Sequence, residues 1–229
     1  MTLRILLVFL LVPLPFSFAQ DKSAYTDAFH AGANEYQIWS GYSPTSPTWI
    51  GKSEARHLFM AGAGWRRVLW TSDRVAWKYT LDIVPVALVS QPTLNGMETV
   101  QDFRDPGAFT AACQAAGLTN CPIFGRRTTY GVGFAPIGFE FNFRRRRRVQ
   151  PVAGINAGLL RFSREVPIAN SAAINFTFSW GAGLQVFTSE SRSITIGYRF
   201  HHISNANSGT PFNPGIDSNF MYVGYSFHK

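Results

Sequence analysis

The stretch Ile174-Asn175-Phe176-Thr177-Phe178-Ser179-Trp180-Gly181-Ala182-Gly183-Leu184-Gln185-Val186 decides the fold. Its even positions hold Ile, Phe, Phe, Trp, Ala, Leu and Val, and its odd positions hold Asn, Thr, Ser, Gly, Gly and Gln. A helix would scatter these residues around its axis. A strand throws successive side chains to opposite faces, so this segment is a strand with one apolar face and one small, polar face.

The same alternation recurs on either side, with turn-like breaks between segments. In 137–143, Ile137, Phe139, Phe141 and Phe143 alternate with Gly138, Glu140 and Asn142. In 149–162, Val149, Ala153, Ile155, Ala157 and Leu159 oppose Gln150, Gly154, Asn156 and Gly158. Residues 77–86 set Trp77, Tyr79, Leu81 and Ile83 against Lys78, Thr80 and Asp82. Residues 193–200 set Ile194, Ile196, Tyr198 and Phe200 against Ser193, Thr195, Gly197 and Arg199. Weaker candidates cover 34–42, 57–66 and 219–227.

Eight strands, several of them long enough for a tilted membrane crossing, predict an all-β fold: an eight-stranded antiparallel transmembrane β-barrel. A secreted sandwich is the alternative. The polar faces decide between the two. They carry Gly, Asn, Thr and single charges rather than the Lys/Glu-rich faces of solvated sheets, and aromatics stand at the apolar strand ends as interface girdles do.

The first residues are set aside as a leader. Arg4 precedes the apolar run Ile5–Val12, and Ser17 and Ala19 stand at the positions of a small-residue cleavage site, so residues 1–19 read as a signal peptide cut after Ala19. The run is too short for a spanning helix, which takes about 20 apolar residues. Residues 20–229 then form one exported outer-membrane barrel domain, with no later helical span.

Cys113 and Cys121 share one segment and meet an oxidising compartment after export, so a single loop disulfide is expected, with no metal-ligand spacing around it. The net charge of +8 owes five positives to the run Arg144–Arg148. No aromatic-basic interleaving surrounds that run, which argues against nucleic acid and for a solvated turn near anionic head groups.

With both termini periplasmic, the segment between 89 and 129 is an outer loop, Arg144–Arg148 a periplasmic turn, and the segment between 203 and 219 an outer loop at the rim. The apolar parity of Ile194, Ile196, Tyr198 and Phe200 runs on through His202 and Ser204. On the last strand the parity of Met221, Val223, Tyr225 and Phe227, read backwards, reaches Asn219 and Asp217. Polar groups on a lipid-facing side carry a desolvation penalty unless they serve a purpose. A hydroxyl needs an imidazole to take its proton, and the imidazole needs an acid to fix its tautomer. Two residues apart on a strand, His202 and Ser204 stand about 6–7 Å apart at the backbone, within side-chain reach. His202, Ser204 and Asp217 are therefore the candidate catalytic set. His201 shares the parity of Arg199 and is expected inside the barrel; His30, His57 and His228 have no matching nucleophile.

The run His202-Ile203-Ser204-Asn205-Ala206, followed by Pro211, Asn213, Gly215, Ile216, Asp217 and Ser218, resembles the C-terminal signature of the lipid A 3-O-deacylase (PagL) family. The resemblance implies an outer-membrane barrel with a Ser-His-acid triad at the outer leaflet, removing the ester-linked acyl chain at the 3-position of lipid A. It makes His202 the general base, Ser204 the nucleophile and Asn213 the oxyanion-hole asparagine, with backbone N–H groups after Asn205 as helpers. Asp217 falls where the family usually has glutamate, after a loop one residue longer. The expected partners are lipid A, as lipopolysaccharide, and the surrounding outer-membrane lipids, with a homodimer left open; no cofactor or metal is expected. Arg161 and Arg164 are rim cations that could meet lipid A phosphates. The alternative is a non-enzymatic small barrel, structural or adhesive.

Overall fold

The computed structural model describes residues 27–208 and 212–229. The leader with its cut after Ala19, and Pro211 of the closing-loop signature, lie outside the described residues.

Eight long strands close into one antiparallel barrel. In chain order they are β1 (Asn34–Ser43), β2 (His57–Thr71), β3 (Val75–Leu94), β4 (Phe124–Phe143), β5 (Val149–Phe162), β6 (Ile174–Ser189), β7 (Arg192–Ser204) and β8 (Ile216–His228). Each pairs with its sequence neighbours, and β1 pairs with β8, from Glu35 opposite His228 to Tyr42 opposite Met221, so no edge is left unpaired around the wall. Met97–Glu98 folds back on the end of β3 as a short extension. The connections after β2, β4 and β6 are short turns, and they share one end of the barrel with both ends of the strand chain. The connections after β1, β3, β5 and β7 are longer and gather at the other end.

The alternation sorts as the sequence predicts. Ile38, Ile83, Phe134, Ile155, Phe176, Trp180, Leu184, Ile196, Met221 and Val223 form an exposed apolar belt. Opposite faces turn inward and hold ionic groups paired with opposite charges. Lys78 Nζ lies 2.8 Å from Glu35 Oε2 and also pairs with Glu140. Arg66 reaches Asp82 at 3.6 Å and donates to Gln37 Oε1 at 2.8 Å, and Glu35 Oε1 accepts from Ser226 and Gln185. Compensation of this kind is what makes buried charge tolerable.

Two features depart from the sequence reading. First, β3 and β4 run well past 86 and begin well before 137, so the expected loop between 89 and 129 is largely strand at both ends. The register slips between Tyr79 and Asp82 and between Val84 and Ala87 on β3, and between Phe134 and Ile137 on β4. The inward parity reverses once in each strand, after Val84 on β3 and after Ala135 on β4, and this hides the rest of each strand from a period-two search. Pro85 and Pro136 sit at these irregularities, where the hydroxyls of Tyr130 and Tyr79 donate to their carbonyls. Second, the lumen is not polar throughout. Towards the long-loop end it fills with Trp39, Leu58, Met60, Val84, Leu160, Phe162, Ile203, Ile216 and Phe220. At the short-turn end, Phe29 from the turn Asp27–Phe29 plugs the opening against Val68, Ala76 and Phe187. The barrel is a packed core, not a channel.

Within the β3–β4 connection, helix α1 (Pro106–Ala115) is capped by Asp105, whose side chain accepts from the Ala108 N–H at 3.0 Å. A disulfide joins Cys113 at its end to Cys121.

Candidate active site

β7 and β8 pair without a register break from Arg192 opposite Phe227 to Ile203 opposite Ile216. Parity therefore carries through the whole hairpin. On its outer face the cross-strand pairs run Ile194 with Tyr225, Ile196 with Val223, Tyr198 with Met221, Phe200 with Asn219, and His202 with Asp217. Ser204 follows His202 on the same face. One continuous surface thus passes from an exposed apolar belt to an imidazole and a carboxylate placed directly opposite each other.

The upper part of this surface is covered. Ile196 and Val223 are exposed, yet Phe200, His202 and Asp217 are buried, Asp217 completely. The cover is the loop after β1, residues 44–56. Trp49 stacks on Phe200 with ring centroids 5.2 Å apart. The next two residues present backbone N–H groups to the acid: Ile50 donates to Asp217 Oδ2 at 2.7 Å and Gly51 to Asp217 Oδ1 at 3.0 Å. The same Oδ1 lies 2.6 Å from His202 Nδ1. Both carboxylate oxygens are therefore engaged, and such charge-assisted bonds fix an acid firmly.

Two glycines let the loop come this close. A Cβ on Gly51 would stand 2.9 Å from the Gly215 carbonyl carbon and oxygen and 3.1 Å from Asp217 N, backbone atoms with no room to move. Gly215 has φ +58° and lies against His202 Cε1. The loop is pinned on both sides of this contact. The Lys52 N–H donates to the Pro214 carbonyl, the Ser53 N–H to the Gly215 carbonyl at 3.2 Å, and Ser46 Oγ to the Ser53 carbonyl at 2.6 Å. At its far end the buried Arg56 guanidinium donates to the carbonyls of Glu54, Thr99 and Pro167, tying three long loops together. Burial and nearby Arg126 pull the Arg56 pKa down to about 10, against Glu54 and Glu98, so it remains a cation at neutral pH.

Around the hydroxyl, Asn213 Nδ2 donates to Ser204 Oγ at 2.6 Å, and the Ala206 N–H donates to the same oxygen at 3.3 Å. Asn213 Oδ1 accepts from the Gly215 N–H at 3.3 Å, which fixes the amide's orientation. Asn205 is fully buried, its Oδ1 accepting from the Asn207 N–H at 3.0 Å. The Ser204 hydroxyl makes no hydrogen bond to His202; the imidazole packs instead against the ring of Phe178 at 5.2 Å. Nucleophile–base contacts are often long until substrate is in place.

The structure thus brings His202, Ser204, Asp217 and Asn213 together, with Asn205 next to Ser204 in the chain and fully buried. Cys113 and Cys121 belong to the β3–β4 connection, across the barrel from this hairpin. His201 points inward, its Nε2 2.7 Å from Thr177 Oγ1, and His228 lies inside near Ser193. No group of three His, Cys, Asp or Glu suited to a metal exists among the described residues. Sequence reasoning missed Trp49, Ile50 and Gly51. The Pro-rich run from Ser43 to Ser53 marks a loop, but contacts made by backbone N–H groups leave no side-chain pattern to find.

A family model described as lipid A 3-O-deacylase (PagL) matches residues 60–226, from within β2 almost to the end of β8. Among solved structures, the outer membrane enzyme PagL aligns with a TM-score of 0.54 at 17% identity, covering 83% of this chain and 98% of that one. Neisserial surface protein A aligns at 0.44 with 12% identity, covering 86% of this chain and 98% of that one. OprG from Pseudomonas aeruginosa aligns at 0.45 with 12% identity, covering 88% and 99%. No curated protein matches the chain. The family match takes in all or most of seven of the eight strands, the closing hairpin among them: the chain belongs to the lipid A 3-O-deacylase (PagL) family of outer-membrane β-barrel ester hydrolases.

Proposed function

We propose that this barrel removes the ester-linked acyl chain at the 3-position of lipid A through a triad of Ser204, His202 and Asp217 facing the outer leaflet. The observation that carries the reading is the 2.6 Å contact between His202 Nδ1 and Asp217 Oδ1 on the outer face, with Ser204 two residues further along that face.

The roles follow from the geometry. Asp217, held by the Ile50 and Gly51 N–H groups, accepts the Nδ1 proton and so keeps His202 Nε2 unprotonated and available. Nε2 takes the Ser204 proton as Oγ attacks the acyl carbonyl carbon. The carbonyl oxygen becomes an oxyanion stabilised by Asn213 Nδ2 and the Ala206 N–H, the two donors that hold Ser204 Oγ before substrate arrives. One such donor contributes roughly 3–4 kcal/mol to the transition state. Collapse of the tetrahedral adduct expels the sugar 3-oxygen, which leaves with the proton from His202. Water, activated by the same imidazole, then releases the fatty acid and restores the serine.

The siting suits an amphipathic substrate. Esters of lipid A lie where sugars meet acyl chains, and this site lies where the apolar belt gives way to the long-loop end. Phe178, Phe200 and Trp49 offer an apolar wall beside the imidazole on the membrane side. The long-loop end then faces outward and the arginine-rich turn faces the periplasm.

Mass spectrometry of lipid A from a host lacking such an enzyme tests the proposal. The wild-type chain is expected to remove one hydroxyacyl mass, and Ser204→Ala and His202→Ala to leave lipid A intact. Unmodified lipid A from a folded, heat-modifiable wild-type barrel would leave a structural barrel as the reading.

A further inference from the structure

At the short-turn end, the turns 72–74 and 144–148 are latched to each other. The Arg144 N–H donates to the Arg74 carbonyl at 2.7 Å, Arg145 Nε donates to the Ser72 carbonyl, and Arg146 pairs with Asp73. Inside the longer turn, the Arg147 N–H donates to the Arg144 carbonyl at 2.8 Å, and Gln150 Nε2 donates to the carbonyls of Arg145 and Arg147. The two turns carry six arginines, Arg74 and Arg144–Arg148, against one acid, Asp73. Burial and the neighbouring Arg146 both lower the Arg145 pKa, with Asp73 opposing.

Between the turns opens a cleft of about 560 Å³ lined by Asp73, Arg74, Val75, Phe143, Arg144, Arg146 and Arg147. Its walls are of two kinds. Arginines form one side, and Phe143 with Val75, at the lower edge of the exposed apolar belt, form the other. A free phosphate would use only the first wall, and a neutral lipid only the second. A ligand that uses both is an anion carrying an acyl chain at the membrane interface. Guanidinium groups are suited to phosphate because they present paired N–H donors in a plane.

We infer that the cleft between turns 72–74 and 144–148 binds the phosphate of an anionic phospholipid, with its acyl chain along Phe143 and Val75. The lipid class follows from the cleft itself; only the leaflet, the periplasmic one, rests on the proposed orientation. The site lies at the opposite end of the barrel from His202 and Ser204 and takes no part in the deacylation.

Native mass spectrometry of the full barrel, extracted from vesicles containing equal parts phosphatidylglycerol and phosphatidylethanolamine, tests this. The wild type is expected to retain phosphatidylglycerol over phosphatidylethanolamine. Arg144→Gln combined with Arg147→Gln should reduce that retention roughly thirtyfold, about fivefold for each basic residue lost near a membrane surface. Arg144→Lys with Arg147→Lys should restore part of it. Heat-modifiability and lipid A deacylation should be unchanged in both variants, which separates this inference from the triad. Equal retention of the two lipids, or phosphatidylglycerol retention unaffected by the Gln variants, would overturn it. Displacement of the lipid by millimolar inorganic phosphate would also overturn it, by assigning the cleft to a free anion.

Discussion

The barrel holds two buried ionisable clusters, and they are built on opposite principles. Inside the wall, Lys78 pairs with both Glu35 and Glu140, Arg66 with Asp82 and Gln37, and the spare oxygens of Glu35 with Ser226 and Gln185. Every charge there has an opposite charge as partner, and the contacts link six strands. On the outer face of the closing hairpin, Asp217 is equally saturated, by His202, Ile50 and Gly51. The imidazole it holds is not. His202 commits Nδ1 and leaves the other ring nitrogen for a hydroxyl two residues away. A network of paired charges braces the wall; one that leaves a ring nitrogen without a protein partner has the form the proposed chemistry needs.

This contrast is tested most severely at the acid. Asp217→Asn turns an obligate acceptor into an amide that can hold the wrong imidazole tautomer, so turnover should fall by about 10³–10⁴-fold, as removal of a triad carboxylate does elsewhere. The barrel should stay folded. Asp217→Glu keeps the charge but adds a methylene to a fully buried site and moves the oxygens off the Ile50 and Gly51 N–H groups, so its activity should fall between Asn and wild type. Steady-state hydrolysis of purified lipid A reads both. An Asp217→Asn variant with full activity would show that another group orients His202.

A smaller loss is expected at Gly51→Ala. The new methyl meets the Gly215 backbone and displaces the loop from the carboxylate. A shift of this size at a positioning contact lowers kcat by roughly 10²-fold. KM should change less than kcat, because Phe178 and Phe200 of the apolar wall stay in place on their strands although Trp49 moves with the loop. A matched rise in KM would instead mark the loop as part of substrate binding.

The interior cluster should respond in the other currency. Lys78→Met leaves Glu35 and Glu140 buried without their cation, a change that costs about 3–5 kcal/mol. Urea unfolding of the barrel in lipid should show that loss, while the surviving folded fraction deacylates at the wild-type rate. Least of all is expected from the disulfide. Cys113→Ser closes no gap near the hairpin and should leave deacylation unchanged; a strong loss would show that the β3–β4 connection shapes the substrate cleft.

How far the sequence carried these distinctions depended on local register. The β7–β8 hairpin has no bulge, so alternation counted from Ile194 reaches Ser204 without slipping, and counted back from Phe227 it reaches Asp217. That is why the outer-face placement of the three side chains was legible from spacing alone. In β3 and β4 the pattern reverses once each, after Val84 and after Ala135, so alternation counted over 77–86 or 137–143 does not carry into the upper end of either strand. The apolar upper lumen escaped for a related reason: Val84, Ala87 and Val89 face inward where a membrane barrel is expected to be polar. The covering loop was invisible because its decisive groups are main-chain N–H donors, and only Gly51, from its lack of a side chain, leaves a trace.

The central claim is that Ser204 is made nucleophilic by His202. Incubating the folded barrel in lipid with a long-chain alkyl fluorophosphonate, followed by intact-mass analysis and peptide mapping, measures this directly. A single adduct on Ser204 is expected, formed slowly or not at all in His202→Ala. An active enzyme that gives no adduct, or carries it on another residue, would contradict it.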